Sequence, residues 1–299
     1  MIAAGQNIRV RGRLLRIARL EAEGYEFLEE SPEPILDALQ KMDPRVDLFT
    51  FTQRVPNTSP HYAYPMEWDN CAALEVTSFE HWWKQIRPEA RNRARQAEKK
   101  GVVIREVSFD EVLAKGIWEI YNECPIRAGR QFPHYGKDIR TVHAEAATFL
   151  DSSFFIGAFI DDKLIGFVKL TTDETKTQAN LMNILSMIAH RDKAPTNALI
   201  AHSVRACADR GISYLVYQRF SYGKKKTDGI MKFKEVNGFK QFNLPRYYVP
   251  LTLKGRLALQ AGLHRRFVDR LPERLVGRLR EFRNEWYNRR LQVAKQIGA

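Results

Sequence analysis

Between residues 125 and 137 the chain gathers Arg127, Arg130, His134, Tyr135 and Lys137 with two glycines, Gly129 and Gly136. An arginine fork recognises phosphate or carboxylate through two parallel hydrogen bonds. A neutral imidazole can take the proton of an attacking amine. His134 is therefore a candidate catalytic base, and Arg127, Arg130, Tyr135 and Lys137 are candidate substrate-binding residues. A second group, Arg191, Lys193, Thr196 and Asn197, stands where a helix is expected to begin. Unpaired backbone N–H groups and the helix dipole favour an anion at such a point, so these four are candidate anion-binding residues.

Other chemistries leave no trace. His61, His81, His143, His190, His202 and His264 show no His-x-x-x-His or paired-cysteine spacing, so no metal site is expected. There is no Gly-x-Ser-x-Gly elbow and no Walker-type loop. Cys71, Cys124 and Cys207 are odd in number and far apart, as buried thiols of a reducing compartment would be. No run reaches the roughly 18 apolar residues of a membrane span, and the start lacks an apolar stretch behind a basic flank. A cytoplasmic chain is expected.

The elements that must position these residues follow from periodicity. Residues 8–20 read as one or two strands, 35–42 as a short helix, 47–52 as an alternating strand, 56–70 as loop and 73–76 as a strand. Thr77 with Glu80, and Ser108 with Glu111, have capping-box spacing for the helices that follow. A charge-dense helix spans 88–100, and a short strand 102–104. Val112, Ile117, Ile120 and Tyr121 recur at helical spacing, and a second helix covers 139–150. Strands at 154–160 and 164–170 flank Asp161-Asp162-Lys163, a hairpin signal. A strand at 181–188, a helix opened by Thr196 or Asn197, a strand at 214–217 and a helix from Asp228 to Gly238 come next. Strands at 239–244 and 247–251 end the series. Across residues 101–252 the order is β-α-α-β-β-β-α-β-α-β, a mixed α/β (α+β) sheet and not a doubly wound one.

That order resembles the GNAT acyltransferase fold. Phe233-Lys234-Glu235-Val236-Asn237-Gly238-Phe239 looks like the aromatic-x-x-x-x-Gly-Phe element of its last helix. Arg91-Asn92-Arg93-Ala94-Arg95-Gln96-Ala97-Glu98-Lys99-Lys100-Gly101-Val102 looks like the basic entry helix of the FemAB-like branch, and adds Arg95 to the substrate-binding candidates. The resemblance extends over about residues 47–252. It implies an N-acyltransferase. A Phe-Lys pair at 233–234 resembles the Fem-like aminoacyl transferases, which makes Lys234 a catalytic candidate: an ammonium can stabilise a developing oxyanion and then donate a proton.

Two donors are left open. Relatives that use acyl-CoA hold its pyrophosphate with an Arg/Gln-x-x-Gly-x-Gly/Ala loop. Here Arg191 fits the first position, but Ala194 and Thr196 replace the glycines and Pro195 removes a donor N–H. Aminoacyl-tRNA is the alternative donor, in keeping with the altered loop and the basic surface.

The net charge of +13 is uneven, since residues 254–299 hold 12 Lys+Arg and 4 Asp+Glu, a net of +8. Such an excess attracts polyanions, whether a phosphorylated small molecule, tRNA or a peripheral membrane contact. Leu275, Leu279, Phe282, Trp286, Val293 and Ile297 make an apolar stripe in that arm. The expected division is an N-terminal α/β extension at 1–100, a GNAT-like domain at 101–252 and a basic helical arm at 253–299. The expected activity is transfer of an acyl or aminoacyl group to an amine of an anionic acceptor. The competing reading is a non-catalytic degenerate GNAT module that binds RNA or an anionic surface through its arm.

Overall fold

The computed structural model describes residues 1–26, 28, 31–127, 129–173, 175–221, 229–265 and 278. In chain order the elements are β1 (Ile2–Ala3), β2 (Gln6–Arg11), β3 (Ile17–Leu20), α1 (Glu33–Gln40), β4 (Leu48–Thr52), β5 (Met66–Glu75), α2 (Phe79–Gln85), α3 (Pro88–Lys99) and β6 (Val103–Val107). Then come α4 (Glu111–Asn122), β7 (Ile126–Arg127), β8 (Arg130–Gln131), α5 (Ile139–Ala146), β9 (Ser153–Ile160), β10 (Lys163–Thr172) and β11 (Gln178–Ser186). A 3-10 turn at Ile188–Lys193 precedes α6 (Pro195–Asp209), β12 (Tyr214–Val216), α7 (Gly229–Val236), β13 (Lys240–Pro250) and α8 (Leu253–Gln260). The apolar stripe at Leu275–Ile297, the Asp228 cap and residues 222–226 lie outside the described residues.

Two compact units share these elements: residues 1–87, 171–182 and 204–266 form one, and 88–170, 183–203 and 267–299 the other. In the first, the strand order is β1-β2-β3-β4-β13-β5-β12, with the start of β11 beside β12. Strand β13 is antiparallel to both β4 and β5, so Tyr247 lies opposite Phe51 on one side and Met66 on the other. One sheet face packs Ile8, Ala18, Leu20, Phe49, Phe51, Tyr247 and Val249 against Ile35, Leu36 and Leu39 of α1. Each large apolar side chain withdrawn from water there contributes roughly 1.5–3 kcal/mol. The Tyr247 hydroxyl is satisfied inside this core, donating to Gln53 and accepting from the His61 N–H.

In the second unit β6 is the outermost strand, followed by β9, β10 and the end of β11. Leu113, Ala114, Ile117, Ile120 and Tyr121 form the buried stripe of α4. The hairpin between β9 and β10 turns on Asp161 and Asp162, both at positive φ (47° and 59°), as a tight two-residue connection requires.

Several local expectations shift. Ser78, not Thr77, caps α2 by accepting from the His81 N–H, and Asp110, not Ser108, caps α4 through the Leu113 N–H. Residues 66–70, expected as loop, are strand because β13 pairs with them. The two strands expected at 239–251 are one, running through Pro245; its carbonyl accepts from the Gln53 N–H. Helix α6 starts at Pro195, after Ala194 in the left-handed region (φ 54°), so neither Thr196 nor Asn197 is its cap.

Candidate functional site

The loop between α4 and α5 builds the first cluster, within the second unit. His134 stacks on Tyr121 with ring centroids 4.4 Å apart, and Phe132 stands 5.3 Å from it. Lys137 places its ammonium 3.2 Å from His134 Nδ1 and pairs with Glu145, whose other oxygen is 3.6 Å from the same nitrogen. Burial, and next the Lys137 charge, hold the imidazole pKa below its ordinary value, against the opposing pull of Glu145. The neutral ring accepts from the ammonium when its proton is on Nε2 and donates to Glu145 when its proton is on Nδ1.

Arg127 turns inward. Its guanidinium donates to the carbonyls of Ser186 (2.7 Å) and Ile120 (2.8 Å) and to Glu123 (3.0 Å), and it lies over the Phe132 ring. These bonds tie the loop to the end of β11. Arg130 and Tyr135, by contrast, are exposed.

The second cluster is the turn before α6. Glu123 accepts from the backbone N–H groups of Ile188 (2.7 Å) and Ala189 (2.8 Å), a carboxylate filling the start of the 3-10 turn. Further on, the Ala194 N–H bonds to Arg191 and the Asn197 N–H to Ala194. The Thr196 hydroxyl is paired with Ser186 at 2.9 Å. Arg191 is exposed, and Lys193 lies 3.4 Å from Asp192. Asp192 also accepts from Gln96 of α3, the helix that carries the exposed Arg95, and from Lys100 just beyond its end.

The third cluster belongs to the first unit. Lys234 of α7 is fully buried (0% exposed), donates to the Arg219 carbonyl and holds its ammonium 4.4 Å from the centroid of Tyr217. The Arg219 guanidinium is 3.4 Å from Asp69. Asp69 also accepts from Arg246, whose fork is completed by both oxygens of Glu23. Arg246 is mostly buried in this ion network. Burial pushes the Cys71 and Cys207 thiols up to about 12, which leaves neither a nucleophile at neutral pH.

Lys234 therefore belongs to one unit, and His134, Arg127, Arg130, Tyr135, Lys137, Arg95, Arg191, Lys193, Thr196 and Asn197 to the other. Two concavities of about 530 and 420 Å³ flank β6 and contain none of these residues. Chemistry needs convergent polar groups and not volume alone. Glu123, Glu145 and Tyr121 were not candidates from sequence, since nothing local distinguishes them. Lys169 had a signal: it is a lysine in the apolar run of β10. It is buried, donates to the carbonyls of Ala146 and Thr148 after α5, and burial lowers its pKa to about 8.

No family profile and no curated protein sequence matches the chain. Solved structures do. The C-terminal domain of a lysylphosphatidylglycerol synthetase from Agrobacterium fabrum is similar with a TM-score of 0.57 at 15% identity, over 87% of this chain and 86% of that one. FemX gives 0.57 at 11% identity, over 84% of each chain. L-PGS from Bacillus licheniformis gives 0.57 at 11% identity, over 88% of each chain. The fold is of the FemAB-like GNAT type. In this FemAB-like fold the Phe233-Lys234 pair lies on α7, and Gly238, at φ 90°, ends that helix before β13. Among the described residues no helix is long and apolar enough to cross a membrane.

Proposed function

We propose that the chain is an N-acyltransferase that moves an acyl or aminoacyl group to an amine of an anionic acceptor, with Lys234 as its catalytic group. The observation that carries this reading is the buried ammonium of Lys234, placed on α7 and oriented by the Arg219 carbonyl and the Tyr217 ring. Burying an ammonium costs several kcal/mol before its hydrogen bonds are counted. A position needed only for packing could be filled by methionine without that cost.

In the reaction the amine lone pair attacks the acyl carbonyl carbon, and the carbonyl π electrons move onto oxygen. The Lys234 ammonium stabilises that oxyanion. When the oxyanion collapses, the bond to the leaving group breaks, and the leaving atom takes a proton from Lys234. The proton shed by the attacking amine returns to Lys234 through solvent.

The turn before α6 supports an aminoacyl ester over acyl-CoA. Pro195 brings no N–H, the N–H groups of Ala194 and Asn197 bond within the turn, and Thr196 is directed to Ser186. Transfer assays with lysyl-tRNA and with acetyl-CoA test this choice. One similar structure is named for making lysylphosphatidylglycerol, so phosphatidylglycerol is the first acceptor to try beside simple amines. Label transferred from lysyl-tRNA and lost in Lys234→Met supports the reading. Transfer from acetyl-CoA alone reverses the donor assignment.

A further inference from the structure

The N-terminal hairpin of the first unit sets arginine against arginine. In the β2–β3 register Arg9 lies directly opposite Arg19, with Arg11 two residues along on the same face, while Ile8, Ala18 and Leu20 face the core. Like charges placed directly opposite destabilise a strand pair. Arg19 shows the strain: burial, and beyond it the charges of Arg11, Arg246 and Arg9, lower its pKa against the pull of Glu23. Its Nε is buried with no hydrogen-bond partner among the described residues, as is that of Arg16. An anion brought to this face would remove the repulsion.

The tip of the same hairpin is apolar. Leu14 is 90% exposed, between Arg13 and Arg16. The turn that presents it is rigid: Gly12 sits at φ 94°, and a Cβ there would lie 2.0 Å from the Leu15 carbonyl oxygen. Its base is fixed by Asp47, which accepts from the Arg16 N–H at 2.9 Å.

A second element meets the same carboxylate. Asp47 accepts from the Thr252 hydroxyl that caps α8 (2.8 Å) and pairs with Lys254 (2.9 Å). Helix α8 packs closely on it, since a Cβ at Gly255 would lie 2.0 Å from the Asp47 carbonyl oxygen. This helix buries Gly255 and Ala258 and turns two of its three leucines out, Leu253 at 70% and Leu257 at 58% exposed, interleaved with exposed Lys254 and Arg256. Exposed leucines one helical turn apart serve no purpose in water. Together with basic neighbours they match a surface whose anionic headgroups lie above an apolar interior.

We propose that the surface built around Asp47 by the hairpin tip and α8 docks the protein on an anionic lipid bilayer, with Leu14, Leu253 and Leu257 entering the interface and the flanking arginines and lysine meeting phosphate headgroups. A polynucleotide would satisfy the arginines and leave the leucines without a role, so the lipid surface is favoured.

The test is sedimentation of the full chain with vesicles of phosphatidylcholine alone or mixed equally with phosphatidylglycerol, beside titration with poly(U). Binding is expected to the mixed vesicles and not to phosphatidylcholine alone. Replacing the three leucines by glutamine is expected to weaken vesicle binding about tenfold or more, as loss of buried apolar surface does, with the melting temperature unchanged. If the triple variant melts early, Leu14→Gln alone at the tip gives the same readout with a smaller fall. Vesicle binding indifferent to these leucines, or binding to poly(U) without binding to vesicles, overturns the proposal in favour of a general polyanion contact.

Discussion

Lys137 holds its ammonium 3.2 Å from Nδ1 of His134, and this one contact decides what the histidine can do. The cation occupies the nitrogen that would otherwise carry the proton, and it opposes a second positive charge on the ring. The expected neutral form of His134 therefore carries its N–H at Nε2.

Lys137→Met removes the cation while keeping the aliphatic stem. The His134 pKa is expected to rise, and its Nδ1 becomes free to donate to Glu145. Nitrogen-15 NMR through a pH titration reads both tautomer and pKa. The wild-type stability profile carries the same signature. The folded-state pKa lies below the unfolded value of about 6.5. Below that pH the unfolded chain binds a proton that the folded chain refuses, so His134 contributes a loss of stability as pH falls. In Lys137→Met that part of the loss should shrink. An Nδ1–H tautomer in the wild type would contradict the assignment.

Lys169 gives the opposite end of the pH scale. Its folded pKa of about 8 lies below the unfolded value of about 10.4. Between those values the unfolded chain holds a proton that the folded chain has lost, so its contribution makes stability rise with pH. Lys169→Met is expected to abolish that rise. It also leaves the carbonyls of Ala146 and Thr148 without their donor, a cost of about 1–3 kcal/mol. Chemical denaturation of both proteins at pH 7 and pH 9.5 measures the two effects.

Glu123 is bound by three donors, the N–H groups of Ile188 and Ala189 and the Arg127 guanidinium. Glu123→Gln keeps the shape but removes the charge, weakening all three charge-assisted bonds at once. A loss of about 1.5–3 kcal/mol is expected in denaturant unfolding, with faster amide exchange at residues 188–189. Unchanged exchange there would show that the turn stands without the carboxylate.

What could be read from the sequence was local. The β9–β10 hairpin, the apolar stripe of α4 and the α6 and α7 helices are visible because their periodicity and punctuation lie within each segment. The FemAB-like fold was legible through the basic α3 helix and the Phe233–Phe239 element. The insertion of β13 between β4 and β5 was not, because it pairs residues nearly two hundred positions apart, such as Tyr247 with Phe51. That pairing also converts residues 66–70 from apparent loop to strand. The division at 1–100, 101–252 and 253–299 was linear, whereas each compact unit draws on three separate stretches. Among the site residues, spacing marked the loop at 125–137 but not its wiring. Arg127 looked like an anion fork and is committed to protein carbonyls. His134 looked like a base, and no sequence pattern announces its contact with Lys137.

The central claim rests on Lys234, so the most direct measurement compares wild type with Lys234→Met in single-turnover transfer from labelled lysyl-tRNA to phosphatidylglycerol vesicles and to a panel of amines. Methionine preserves the stem and removes the ammonium, so the melting temperature is expected to hold or rise. Transfer is expected to fall by roughly a hundredfold or more, as when an oxyanion donor is lost. A folded Lys234→Met protein that transfers the label as fast as wild type would contradict the account and leave Lys234 as a packing residue.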